Sequence, residues 1–307
     1  MARPLPVLGI NVHPGVEDPK DAFDRARIAD ISQLDLITIQ DHPYIPYFLD
    51  TWTLLSALAG VTSRVHLGTN VSPLPLRPPA MLAKAAASLD VLARGRVELG
   101  IGAGAFPKGI ASFGGQVLPV GERVAAFEEA IQVIRGLWAS SESFTFDGTY
   151  YQFHDTHFGP KPDHAIRIWV GATKPRMLRI AGRLADGVLL SNTWVSEDRL
   201  VGINEVIDDS ATSAGRSPDS VRRGYNLMGA VELPDLPNTS PEIGPKTLVM
   251  PPAGWTDLIV RLYQEQGMDT FIFWPLGNNQ IPQIDAFAGE IAPAVLAELE
   301  VPPGLAI

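Results

Sequence analysis

The strongest constraint on this chain is a repeated alternation. Eight short aliphatic or β-branched runs are separated by segments with helical punctuation and periodicity. Residues 7–12 (VLGINV), 34–40 (LDLITIQ), 65–71 (VHLGTNV) and 96–107 (RVELGIGAGAFP) supply the first four runs. Residues 166–170 (IRIWV), 187–191 (GVLLS), 223–231 and 270–274 (TFIFW) supply the rest. Runs of this length and composition read as buried strands. Between them the sequence predicts helices over 18–32, 51–62, 78–94, 122–139, 174–185, 197–214, 255–266 and 282–299. Asp18-Pro19 and Pro78-Pro79 mark two of the helix starts, and Gly95 marks a C-cap.

Strict alternation implies a parallel sheet with helical crossovers. Eight units in 307 residues fit a closed (β/α)8 TIM barrel better than an open sheet. The expectation is one α/β domain over 1–307, with insertions after strands four and seven. Residues 111–119 read as a loop, 144–153 as a small hairpin around Asp147-Gly148, and 232–254 as a proline-rich connection. Both insertions are expected in βα segments, on the face where such barrels carry their sites.

Composition narrows the function classes. Lys plus Arg number 24 against 34 Asp plus Glu, a net charge of −10 without long like-charge runs. This argues against a broad nucleic-acid or anionic-membrane surface. Cysteine is absent, which excludes disulfides, thiolate metal sites and cysteine nucleophiles. The N-terminus is too short and proline-rich for a signal peptide, and no apolar run reaches membrane-helix length. A soluble cytoplasmic protein with a small-molecule substrate is the expectation.

In a barrel the strand C-termini converge on one pocket. They bring together Asn11 and His13, Asp41 and His42, Thr69, Asn70 and Val71, and Gly102, Ala103, Gly104 and Ala105. Gly171, Ala172 and Thr173, then Ser191, Asn192 and Thr193, and finally Trp274 complete the ring. Asp41-His42 is the strongest chemical candidate: His42 can exchange a proton near neutral pH, and Asp41 can orient a ligand or its neighbour. A histidine merely packed at a strand end is the competing reading. The glycines after residue 99 leave room for something flat against bare backbone, or serve a local packing need. The spacing G-x-G-x-G is not the dinucleotide fingerprint G-x-G-x-x-G. Residues 171–176 end a strand and open a helix, so free N–H groups with Lys174 and Arg176 can hold an anion, or the two basic side chains are simply solvated. His154, Asp155 and His157 sit in or beside the hairpin and read as surface residues. The first strand offers only His13, without the His-x-His pair of a metal hydrolase, so no metal is expected.

Taken in order, ITIQDH (37–42), LGTNV (67–71), GRVELGIGAG (95–104), GTYYQF (148–153) and IWVGATKPRMLRIAGRLADGVLLS (168–191) resemble the luciferase-like monooxygenase superfamily of flavin- and deazaflavin-dependent barrels. The resemblance implies a cofactor across the barrel mouth, coenzyme F420 or, alternatively, FMN. It places Asp41 and His42 beside the reacting ring. It places Thr69, Asn70 and Val71 behind the ring, at a position where a non-prolyl cis peptide often occurs. Gly102, Ala103, Gly104 and Ala105 would wall the ring, and Gly171, Ala172, Thr173, Ser191 and Asn192 would contact the phosphate-bearing tail. It also suggests a homodimer. Members acting on sugar phosphates carry a carboxylate where this chain has Ala105 and a lysine where it has Trp194. With those groups gone, His13, Phe106, Trp194 and Trp274 suggest a more apolar substrate pocket. The expected activity is hydride transfer between F420 and a small, fairly apolar organic substrate, with His42 moving the proton. The alternatives are an FMN-dependent monooxygenase and, from another class, a metal-dependent barrel hydrolase or a non-catalytic flavin binder.

Overall fold

In the computed structural model, which describes residues 4–234, 236 and 247–301, the eight expected runs close into one parallel barrel. The strands are β1 (Val7–Asn11), β2 (Leu36–Ile39), β3 (His66–Thr69), β4 (Val97–Gly102), β5 (Ile168–Gly171), β6 (Gly187–Ser191), β7 (Arg222–Val231) and β8 (Thr270–Pro275). Each pairs in parallel with its sequence neighbour, and β8 pairs with β1 to close the ring. The helices between them are α1 (Pro19–Ile31), α2 (Thr51–Ala59), α3 (Pro79–Leu92), α4 (Val120–Ala139), α5 (Pro175–Leu184), α6 (Leu200–Ser213), α7 (Pro252–Gln266) and α8 (Gln280–Ala286).

Alternation along each strand divides two cores. Leu8, Ile10, Ile37, Ile39, Leu99, Ile101, Val170, Leu190, Phe271 and Phe273 join the large core against the helices. The opposite face builds a small inner core from Val7, Leu36, Trp169, Leu189 and Ile272. Trp169 fills the barrel's waist because its neighbours give way. A Cβ on Gly187 would stand 2.2 Å from the Trp169 ring, and one on Gly224 only 3.4 Å from it. The inner layer thus alternates one large ring with bare backbone, the pattern that fills a barrel without voids.

The structure departs from the sequence expectation at four places. Residues 107–112 form a short helix (Pro107–Ser112) opened by a proline at its first turn, so the loop expected from 111 starts later. The hairpin, Phe144–Asp147 with Gln152–Thr156, follows α4 and so lies in an αβ connection, not a βα segment. It folds back along α4, where Glu129 accepts the backbone N–H groups of Thr149, Tyr150 and Tyr151. The connection after β7 contains a short strand, Leu248–Met250, paired with Gly229–Val231 of β7, and α7 begins at Pro252. The middle of that connection, 235 and 237–246, lies outside the described residues. The last helix is not one uniform rod: a π turn, Phe287–Ile291, joins α8 to Ala292–Glu298. Pro293 lacks an N–H and its ring crowds the preceding turn, which gives the widening a cause. No helix among the described residues is long and apolar enough to cross a membrane.

Candidate active site

The chain just beyond β2 carries the two residues with most chemical promise, and the structure separates their roles. Asp41 is buried. Its Oδ2 accepts from Ser72 Oγ (2.6 Å) and Arg77 Nε (3.0 Å), and its Oδ1 accepts from Arg77 Nη2 (2.8 Å). Arg77 also pairs with Asp50, the N-cap of α2. This two-pronged pairing neutralises the Asp41 charge and ties the end of β2 to the segment after β3. No hydrogen bond joins Asp41 to His42.

His42 Nδ1 lies 2.7 Å from the Tyr44 hydroxyl, and its ring meets Phe106 edge-on at 5.6 Å. Burial pulls the imidazole pKa below its usual value, and the nearby Asp41 charge opposes this only in part. Burial also pushes the Tyr44 phenol up to about 12, so it stays protonated. The result is a neutral imidazole anchored through Nδ1. When Nδ1–H donates to the Tyr44 oxygen, Nε2 is a proton acceptor; when Tyr44 donates, Nε2–H is a donor. Gly109 of the Pro107–Ser112 helix makes room for this anchor, since a Cβ there would stand 2.7 Å from the Tyr44 ring.

The glycines of β4 and β5 serve a packing need, one of the two readings open for the β4 pair. The Asn70-Val71 peptide is cis, and Val71 wedges among them. Added Cβ atoms at Gly100, Gly102 and Gly171 would meet Val71 methyls at 3.1, 2.8 and 3.0 Å. At Gly100 a Cβ would also strike the Thr69 carbonyl oxygen at 1.9 Å. The bare backbone therefore accommodates the turn after β3, and Val71 becomes the apolar surface presented there. Gly104 takes a positive φ of 91° and packs under Ile110 and Pro75, with its carbonyl accepting from Arg123. Ala103 lines a cavity of about 170 Å³ with Leu74, Pro75, Phe127 and Tyr151, and Ala105 is exposed. The Thr69 hydroxyl is committed to β4, donating to the Gly100 carbonyl and accepting from its N–H.

Beneath the mouth lies a neutral polar layer. Asn70 Nδ2 donates to Asn226 Oδ1 (2.7 Å) and Thr38 Oγ1 (3.3 Å), Asn226 Nδ2 returns a bond to Asn70 Oδ1, and Thr38 donates to Asn11 Oδ1. Asn11 Nδ2 is buried without a partner. At the ends of β5 and β6, Gly171 and Thr173 are half-buried and Ala172 is buried. They lead into α5, whose first turn carries Pro175 and no side-chain cap. Such a turn is a ready anion site. Lys174 is its capping residue, while Arg176 donates to the Gly121 carbonyl. Ser191 Oγ lies 3.0 Å from Thr193 Oγ1, and the Asn192 amide is spent on both backbone groups of Met228. Trp274 is half-buried, Trp194 is 71% exposed, and His13 stands edge-on to Phe48. A roomier cavity of about 570 Å³ lies on the barrel's flank, lined by Arg176, Arg179, Arg183 and Asp209, away from His42.

With the fold closed and this mouth assembled, comparison with known proteins decides the lineage: residues 5–232 match the luciferase-like monooxygenase family. The chain belongs to that family. Among curated relatives, an F420-dependent glucose-6-phosphate dehydrogenase of Microbacterium testaceum is 32% identical over 212 residues, 66% of this chain and 62% of the relative. A phthiodiolone/phenolphthiodiolone dimycocerosates ketoreductase of Mycobacterium bovis is 38% identical over 183 residues, 58% of this chain and 47% of that protein. The match thus spans less than two thirds of either relative's length. The solved structure of an F420-dependent secondary alcohol dehydrogenase, in complex with an F420-acetone adduct, superposes with a TM-score of 0.82. It is 21% identical and covers 95% of this chain and 99% of that one, which shows the shared fold.

Within this luciferase-like barrel, the ring of strand ends is legible in the sequence, but what holds them is not. Tyr44, Ser72 and Arg77 fix His42 and Asp41. Asn226 and Met228 close the floor from β7, for which no end residue is read from sequence. Alternation through RRGYNLMGAV, starting from Gly224, would have pointed Asn226 inward. His154, Asp155 and His157 are exposed or lie at the hairpin edge, with His154 3.6 Å from Asp147.

Proposed function

We propose that this protein is a deazaflavin-dependent oxidoreductase that exchanges a hydride between coenzyme F420 and a largely apolar substrate of the alcohol–ketone type. The observation that carries the reading is the neutral, half-buried His42, anchored through Nδ1 with Nε2 left for a reacting oxygen. Bound F420 would supply the two-electron chemistry. The groups present suit such a cofactor: neutral Asn70 and Asn226 amides, the apolar Val71 face, the orphaned Asn11 donor, and the uncapped start of α5 for a phosphate. A neutral Nε2 accepts the proton of a substrate hydroxyl as it becomes a carbonyl, and returns it in the reverse direction. The Tyr44 phenol stabilises the resulting imidazolium as a hydrogen-bond acceptor at Nδ1. Asp41 sets the loop geometry through Arg77 and Ser72. Ala105 and Trp194 offer no charge for a sugar phosphate, whereas Phe106, Trp194 and Trp274 offer apolar surface, in keeping with the ketoreductase and alcohol dehydrogenase among the similar proteins.

Parallel fluorescence titration with F420 and FMN tests the cofactor, and reduction of F420 by a series of secondary alcohols and by glucose 6-phosphate tests the substrate class. The reading expects saturable F420 binding and turnover with apolar alcohols. Tight FMN binding without F420 binding would replace it with an FMN-dependent monooxygenase, and turnover confined to glucose 6-phosphate would overturn the substrate class.

A further inference from the structure

The opposite end of the barrel gathers a second set of chemistry-bearing side chains. His66 opens β3, Glu98 is the second residue of β4, and His164 precedes β5. One potential ligand atom from each lies within 4.8 Å of the other two. The sequence hides this convergence, since the three residues are spread over a hundred positions and match no spaced motif.

The imidazoles are under-used as hydrogen-bonding groups. His66 Nδ1 is 3.4 Å from Glu98 Oε1, and His164 Nδ1 is 2.8 Å from Asp90 Oδ1. The first contact is long for a hydrogen bond and the second is within ordinary reach of one, while His164 Nε2 has no polar partner at all. All three nitrogens are shielded from solvent. A buried ring nitrogen without a partner is costly, and His164 Nε2, on a ring within reach of a second imidazole and a carboxylate, calls for an occupant.

We propose that His66, Glu98 and His164 form a structural site for a divalent transition metal, with zinc the preferred ion. Two imidazole nitrogens and one carboxylate oxygen suit zinc, whereas magnesium and calcium favour all-oxygen shells. Asp90 stands behind His164 as the carboxylate that orients a ligating imidazole. The site lies at the strand N-termini, the end of a barrel that serves stability. There it clamps the segment before β5 to the starts of β3 and β4. Two neighbours already engage the carboxylate: the Arg167 guanidinium, whose charge opposes the ion, donates to Glu98 Oε1 at 2.9 Å, and the Trp169 indole N–H donates to Oε2 at 2.8 Å. Arg167 is about one-third exposed and can swing outward, so it sets the affinity without closing the site.

The test uses the full chain, free of histidine tags and stripped with a chelator. Zinc is titrated by calorimetry, and cobalt(II) by visible absorption. The proposal expects one ion per chain, a rise in Tm of several degrees with zinc, and a ligand-field spectrum with cobalt. His164→Gln should weaken binding by about tenfold or more. His154→Gln, on the exposed hairpin, should leave it unchanged. Arg167→Gln should tighten binding, which a purely hydrogen-bonded cluster would not do. Absence of binding in both the natural chain and Arg167→Gln overturns the proposal. So does binding of undiminished affinity in His164→Gln, or binding that disappears with His154→Gln. If His164→Gln does not fold, the Arg167→Gln comparison decides.

Discussion

The two ends of this barrel treat charge in opposite ways. At the mouth, charge is removed from the pocket: Arg77 neutralises Asp41, burial favours a neutral His42, and the floor is built from Asn11, Thr38, Asn70 and Asn226. At the base, charge is used as stitching. Glu98 pairs with Arg167, Arg222 with Asp269, and the buried Arg96 guanidinium donates to the carbonyls of Thr62, Val65 and Ala93. The Trp169 waist separates the two ends. In the proposed reaction a neutral mouth would keep a fixed charge from competing for the transferring hydride and proton, while arginines at the base tie helix ends to strand starts. The contrast turns into measurements on single residues.

The largest effect is expected at the mouth. His42→Gln keeps a polar side chain but removes the proton carrier, so kcat/KM should fall by about 10²–10⁴-fold with F420 affinity nearly unchanged. In the natural enzyme, oxidation of the alcohol should fail on the acid side as His42 becomes charged, and that limb should lie below the ordinary imidazole value because burial lowers its pKa. Steady-state rates across pH, with F420 binding measured in parallel, check both. Unchanged turnover would mean that the neutral mouth is only a packing solution and that another group moves the proton.

Arg77→Met asks whether the mouth is neutral by design of a pair. It leaves Asp41 with Ser72 alone, an almost uncompensated buried carboxylate, and should cost about 3 kcal/mol of stability. Asp41→Asn added to Arg77→Met should recover much of that loss, because the second change removes the stranded charge. Chemical denaturation of the three variants is the measurement. Additive losses would show that the Asp41–Arg77 pair is not the unit that sets the charge of the mouth.

How much of this was legible in the chain follows from the range of each interaction. The eight strands and their order could be read because burial on both faces makes each a continuous apolar run, and helical crossovers leave local caps such as Asp18-Pro19. Asp41, His42 and Asn70 could be placed because a barrel maps strand ends onto one rim. Their partners could not: Arg77 reaches Asp41 across 36 positions, and Asn226 reaches Asn70 across 156. The glycines are legible as bare backbone, and of the two readings open for the β4 pair the structure shows the packing one: Val71 fills the space beside Gly100, Gly102 and Gly171, which no local pattern in the sequence reveals. The hairpin is legible in Asp147-Gly148, yet its climb along α4 depends on Glu129 accepting three N–H groups twenty or more positions away.

The smallest effect sharpens the base. Asp35, just before β2, has one oxygen accepting the Leu8 N–H at 2.9 Å. Burial raises its pKa to about 6 from 3.8, although that hydrogen bond and the charges of Arg64, Arg222 and His66 pull it down. A carboxyl whose folded pKa is raised favours folding below its unfolded value and loses that contribution as pH climbs through the folded one. The natural chain should therefore lose stability between about pH 4 and 6 from this group and hold level above. Asp35→Asn keeps an acceptor for Leu8 and removes the charge. It should be close to neutral at pH 4 and stabilising by about 1–2 kcal/mol at pH 8, a difference of order one pKa unit after allowance for partial exposure. Thermal melts at the two pH values decide it. A variant destabilised at pH 8 would show that the Asp35 anion belongs to the ionic stitching of the base, and the division between a neutral mouth and a charged base would then extend one layer further up β2.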